Sequence, residues 1–135
     1  MALLELVALL TSDVEEWNRW REEEPEAHVD LRSANLRASN LMLTNLSRAD
    51  LRTADFSLAN LKATDLTGAD LRGANLIGAR MIGADLEGAD LRGADLRTAE
   101  DLTEEQLAAT IGDENTILPD DMTAPLRWRA EFIAR

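Results

Sequence analysis

From residue 31 onward a leucine or a close substitute returns at every fifth position: Leu31, Leu36, Leu41, Leu46, Leu51, Phe56, Leu61, Leu66, Leu71, Leu76, Met81, Leu86, Leu91 and Leu96. A period of five suits neither regular element. On a helix it spirals the leucines around every side, and on a long strand it alternates them between faces. The chain must therefore turn once per unit. Two positions before most of these leucines stands a small residue, usually Ala (Ala34, Ala49, Ala54), and directly before each stands Asp or Asn, with Arg80 the exception. A short extended segment points Ala and Leu to one side, and Asp/Asn and the residue after Leu to the other. The repeat thus separates an inside from an outside.

The residue two after Leu is Gly in six successive units, from Gly68 to Gly93, which suits a tight turn with positive φ. Earlier units carry Ser33, Ala38, Leu43, Arg48, Thr53, Leu58 and Ala63 there, so their turns are expected to be looser or of another type. A second period gives the size of a coil. Asp-Leu-Arg recurs at Asp30, Asp50, Asp70 and Asp90, twenty residues apart, with another copy at Asp95 out of that register. Four units per coil stack those tripeptides on one side. The fourteen units then make about 3.5 coils, a rod only about 17 Å tall at the usual spacing of paired strands.

With these residues the chain resembles the pentapeptide-repeat proteins over residues 29–98. The resemblance implies an all-β solenoid, a right-handed quadrilateral β-helix, here with short α-helical caps at both ends. Trp17-Asn18-Arg19-Trp20-Arg21 before the repeats resembles segments found beside such repeats in bacterial members. So do Gly112-Asp113-Glu114-Asn115-Thr116 and Leu118-Pro119 after them. Members often dimerise through the C-terminal end. In the gyrase-protecting branch associated with quinolone resistance, the rod imitates duplex DNA by shape and negative surface.

The chain therefore reads as an N-terminal helical cap over 1–28, the solenoid over 29–98, and a helical and extended C-terminal cap over 99–135. Terminal coils of a solenoid expose apolar core and need covering. Met1 to Leu10 is apolar but carries Glu5 and lacks a basic start or a cleavage site, so it reads as a helix packed on the rod and not as a signal peptide. Ser12 with Glu15 forms a capping box opening a helix to about Glu23, stopped by Pro25. Val14, Trp17 and Arg21 share a face of it, with Trp20 close by, which makes the tryptophans a lid on the first coil. Thr103 with Gln106 forms a second capping box, and Gly112 suits the end of that helix. Beyond Pro125, Leu126, Trp128, Phe132 and Ile133 are positioned to cover the last coil or to meet the same tail of a second copy, and a homodimer is the expectation.

Chemistry is scarce. His28 is the sole histidine and there is no cysteine, so disulfides, thiol catalysis and a metal set built on those residues are excluded. The glycines recur at a spacing of five without the strand-to-helix context of a phosphate loop. The expectation is a non-enzymatic chain without cofactor or metal, cytoplasmic, acting as an interaction or scaffold module on a protein partner, with neither nucleic acid nor membrane bound directly.

The formal charge of −12 is unevenly spread. Residues 1–28 hold eight acids and two bases, residues 29–98 nine of each, and residues 99–135 nine acids and three bases. The rod itself is neutral, a departure from the DNA-mimicking branch, whose action on a type II topoisomerase is the alternative reading. On the side defined by the twenty-residue period, Arg32, Arg52, Arg72 and Arg92 form a ladder beside Asp30, Asp50, Asp70 and Asp90. Diagonal reach from Arg to Asp would offset the like-charge steps. This side is either a solvated salt-bridge array or an arginine comb for an acidic partner. Met42, Leu43 and Ile82 fall on another side around Lys62, and a terminal helix is expected to cover them.

Overall fold

The computed structural model describes residues 1–129. Its body is a four-sided coil. Parallel bridges join Asp30 to Asp50, Asn35 to Asp55, Asn40 to Asn60 and Asn45 to Asp65, and the same twenty-residue step repeats up to Arg80 and Glu100. The first side holds Leu31, Leu51, Leu71 and Leu91; the second Leu36, Phe56, Leu76 and Leu96; the third Leu41, Leu61 and Met81; the fourth Leu46, Leu66 and Leu86. Each unit is tied to the next coil by its backbone: Leu31 N–H donates to Asp50 O (2.8 Å), Ser33 N–H to Arg52 O (2.9 Å), and Asp50 N–H back to Val29 O (2.9 Å). The straight part of a side is so short that, among the described residues, the pairing stays as single bridges and no run lengthens into a strand.

The corners of the repeats from Ser33 to Gly93 are the same turn. Ala34 N–H donates to Leu31 O (3.1 Å) around Arg32 and Ser33, and Ser33 has φ 58°. A positive φ at the third residue alone defines a type II turn. The seven non-glycine corners from Ser33 to Ala63 have φ between 55° and 64°, against 64° to 71° for the six glycines of the later repeats. The expectation of looser or different early turns is therefore overturned. The reason lies in the ladder. The corner amide donates to the coil above, as Leu43 N–H does to Lys62 O (3.1 Å) and Leu58 N–H to Ile77 O (2.9 Å), which fixes the conformation whatever the side chain.

The interior is filled. Leu31, Leu36, Leu41, Leu46, Leu51, Phe56, Leu61, Leu66, Leu71, Leu76 and Met81 are all 0% exposed. Each buried side chain of this size adds about 2 kcal/mol of apolar transfer energy. The small position is Ala in most units, and Thr64, which replaces it on the fourth side, donates its hydroxyl to Leu41 O at 2.8 Å.

Two helices close the first coil. They are α1, Leu3–Ser12, and α2, Val14–Glu23. Leu6 and Leu10 of α1 and Trp17 and Arg21 of α2 are buried. The start of α2 differs from the sequence expectation. Ser12 ends α1 with its hydroxyl turned back to Leu9 O (3.4 Å), and Asp13, extended at φ −152°, accepts the Glu16 N–H at 3.0 Å as the N-cap. A carboxylate one residue later outcompetes the hydroxyl for the same task.

The last coil is built differently. Helix α3, Glu104–Ala108, opens on the predicted Thr103/Gln106 capping box. One residue of extra length is absorbed, so that Ile111 bridges Asp90, and a second is absorbed before Ile117 bridges Asp95. Leu107 and Thr110 stand where Leu86 and Ala89 stood one coil earlier, and both are buried. Gly112 does not end α3, whose C-cap is Ala109. It stands in the leucine register after Ile111, and the indole of Trp128, on the 3-10 turn Leu126–Trp128, lies over it in place of a fifth leucine. Among the described residues no helix is long and apolar enough to cross a membrane.

Candidate interaction surfaces

On the outside, the residue before each leucine organises its own turn. Asn35 Oδ1 accepts the Arg37 N–H (3.2 Å), and Asp65 Oδ1 accepts both the N–H (3.0 Å) and the hydroxyl (2.7 Å) of Thr67. Short polar side chains suit this position because they bond backbone two residues on.

The predicted ladder on the first side is present. Arg32 Nε and Nη2 donate to the two oxygens of Asp30 at 2.9 and 2.8 Å, and Arg52, Arg72 and Arg92 grip Asp50, Asp70 and Asp90 in the same way. Arg97 does likewise with Asp95 on the second side, which explains the extra Asp-Leu-Arg copy. The diagonal contacts expected to offset repulsion exist but are longer: Arg32 to Asp50 at 3.8 Å, Arg52 to Asp70 at 3.6 Å and Arg72 to Asp90 at 3.8 Å. Pairing is thus chiefly within one unit, where a planar fork meets a carboxylate two residues away.

These bonds favour the charged form of the carboxylates. Donation from the neighbouring arginine holds Asp30, Asp50, Asp70 and Asp95 below the ordinary carboxylate range. At Asp90 burial is the largest influence and pulls upward, but the Arg92 bonds outweigh it. Asp55 is lowered by the Ser57 hydroxyl and backbone N–H.

The predicted lid residues do more than cover. Trp17 Nε1 donates to Asn45 O (2.8 Å), Arg21 Nη2 to Ser47 O (2.8 Å), and Asn18 both accepts from Asn45 N–H (2.8 Å) and donates to Leu43 O (3.0 Å). One face of α2 thereby stands in for a preceding coil. Trp20 is half-buried against Trp17, ring centres 5.3 Å apart. At the far end Gln106 Nε2 bonds Met81 O (2.8 Å) and Ala84 O (2.9 Å), closing the third side. Asn18 and Gln106 were not singled out for this role by the sequence. The available signal was that Asn18 and Arg21 flank Trp17 on one face of α2. Of the predicted tail contacts, Trp128 is buried and Leu126 is 59% exposed, while Phe132 and Ile133 lie outside the described residues.

Two further surfaces lie on the outside of the rod. A shallow cleft of about 690 Å³ lies between Met1–Leu3 and the top of the ladder, where Asp30, Arg32 and Arg52 are already paired. The apolar third side is open: Leu43 is 64% and Ile82 48% exposed. The expectation that a terminal helix covers them is overturned, because α2 reaches only the edge of the first coil, through Asn18.

The model for pentapeptide repeats matches the chain in eight copies over residues 27–57 and 59–97, more than half its length, and the chain belongs to that family. Among curated proteins none matches the chain in sequence. Among solved structures, a pentapeptide repeat protein of the Arabidopsis thaliana thylakoid lumen is 26% identical over 73% of this chain and 66% of its own, with a TM-score of 0.54. A pentapeptide repeat protein of the cyanobacterium Cyanothece 51142 is 38% identical over 66% of this chain and 63% of its own, with a TM-score of 0.45. The chain spans less than two thirds of either. A third, from Nostoc PCC 7120, is 33% identical over 76% of this chain and 84% of its own, with a TM-score of 0.27. The family likeness implies the right-handed four-sided β-helix.

Proposed function

We propose that the chain is a non-enzymatic, rigid interaction module that works through the outer rows of its coil on a protein partner, in the cytoplasm. The observation that carries this reading is the sealed interior. Leu31 through Met81 leave no exposed surface inside the coils, so chemistry is confined to side chains held outside at fixed steps. The arginine row is the most regular of these, but each guanidinium already uses two N–H edges on its own aspartate. Its part in this reading is to stiffen the turns, and the partner docks elsewhere. Exposed Ile111, Ile117 and Leu126 at the C-terminal end are the surface for a second copy of the chain.

Affinity capture from source-cell lysate with the native chain and the R32S/R52S/R72S/R92S variant in parallel tests the proposal. The expected result is one partner retained by both. Loss of that partner with the variant would make the arginine side the working surface, and capture of nothing by either form would count against an interaction module. The alternative, a DNA-shaped ligand of a type II topoisomerase, requires a continuous acidic stripe. Its support is weak here, since the first side alternates Asp with Arg and the third carries Lys62 and Arg80. Inhibition of supercoiling by the purified chain would restore it.

A further inference from the structure

The third side differs from the other three. Before its leucines it carries Asn40, Asn60 and Arg80, where the first side has only aspartates and the second and fourth mix Asp with Asn. After them it carries Met42, Lys62 and Ile82. Lys62 makes no ion pair among the described residues, and Arg80 meets Glu100 only at 4.0 Å with both side chains more than 60% exposed. On a chain of net charge −12, the charged side chains of this side from Asn40 to Ile82 are Lys62 and Arg80 alone, and acids enter one coil on, at Glu100 and Asp101.

Its apolar residues are placed against local preference. The large hydrophobics exposed on the repeats are Leu43 (64%), Leu58 (54%) and Ile82 (48%), and all three stand on this side or at its two corners; the others of the described residues belong to the ends. Leu58 and Leu43 hold φ of 60° and 64°, a region that favours glycine and is an outlier for a bulky side chain. One coil after Leu58 the same corner is Gly78, and two coils after Leu43 it is Gly83. The positions thus accept glycine, yet the early coils present leucine to solvent there. Every early corner holds this φ, so what sets Leu43 and Leu58 apart is the exposed apolar side chain, a feature of binding surfaces.

We infer that the third side, from Met42 and Leu43 across Leu58 and Lys62 to Arg80 and Ile82, docks a short acidic, amphipathic segment of another protein. The inference rests on the reading of the chain as an interaction module. Charge selects the occupant: leucine and isoleucine side chains take its apolar face, and Lys62 and Arg80 take its carboxylates. An anionic bilayer, the other surface of that chemistry, is disfavoured by repulsion from the acidic caps. The patch spans three coils, about 10 Å along the rod, which fits a segment of about two helical turns.

The test uses the full chain against a random dodecapeptide display library, with two variants checked for native circular dichroism: L43S/L58S/I82S, which keeps the charges, and K62E/R80E, which keeps the apolar groups. Enriched peptides are expected to combine Asp or Glu with Leu, Ile or Phe, and to lose affinity by about tenfold or more to each variant. Basic or neutral peptides, peptides that bind both variants as well as the native chain, or sedimentation of the chain with phosphatidylcholine–phosphatidylserine vesicles in place of peptide binding would overturn the inference. The two readings fail separately. Selected peptides that instead map to the arginine side would overturn this inference and leave the module intact, whereas failure to select any peptide would count against both.

Discussion

A Cβ placed on Gly112 would lie 2.4 Å from Cδ2 and Cε2 of Trp128, so the indole stacks on bare backbone at the point where a further leucine would continue the core. The tail is therefore part of the interior. Gly112→Ala is expected to displace the ring and to destabilise the chain by about 2 kcal/mol, seen as a lower melting temperature with a red shift of the Trp128 emission. An unchanged melt would show that the tail does not seal the rod.

The uniform corners make a matched set of substitutions informative. Gly83→Ala meets only ordinary contacts with Ala63 at 3.8 Å, so its cost is that of the left-handed backbone, about 1 kcal/mol. Gly78→Ala should cost more, because its Cβ would approach Leu58 Cδ2 to 2.8 Å until that side chain swings away. Ala63→Gly should be neutral or gain up to about 1 kcal/mol, the relief of strain being partly cancelled by chain entropy. Urea unfolding of the three variants checks the order. A stabilising Gly83→Ala would contradict the assigned turn.

Much of this was legible in the sequence, and the exceptions have physical causes. Leu31 to Leu96 fixed inside and outside, and the recurrence of Asp30, Asp50, Asp70 and Asp90 fixed the coil at four units. The corner conformation of Ser33 to Ala63 was not legible, because local preference alone argues against positive φ there. It is imposed by bonds to residues twenty positions away, such as Ser33 N–H to Arg52 O. Asn18 reads only as part of a flank resembling those of family members and Gln106 only as half of a capping box, since nothing local marks a side chain that replaces a missing coil. The ladder of arginines was predicted, but its dominant pairing within each unit depends on rotamers that spacing does not specify.

Acid should weaken the ladder in a defined window. The folded values of Asp50, Asp70, Asp90 and Asp95 are depressed, so their contribution is complete above the unfolded aspartate value, about 4, and is lost as pH falls through the lower folded values. Melting temperature is expected to change little between about pH 7 and 5 and to fall below about 4. The gap between the native chain and R52S/R72S should narrow as pH falls, because protonation removes from the native chain what substitution removes from the variant. A gap that stays constant into strong acid would mean that these pairs do not stabilise the fold. The size of the gap at neutral pH should be small, since the arginines are solvent-facing.

The central claim is that the rod is one rigid body whose backbone ladder is closed at its first coil by α2, and native-state hydrogen exchange tests it most directly. On the fourth side Asp65 N–H donates to Thr44 O (2.9 Å) and Asp85 N–H to Thr64 O (3.0 Å), while Asn45 N–H donates to the Asn18 side chain at 2.8 Å. All three amides are expected to exchange with the same opening free energy, that of global unfolding, and Asn18→Ala should release Asn45 alone by on the order of a hundredfold. An Asn45 amide that exchanges at nearly the unprotected rate in the native chain, while Asp65 and Asp85 remain protected, would contradict a ladder closed by α2.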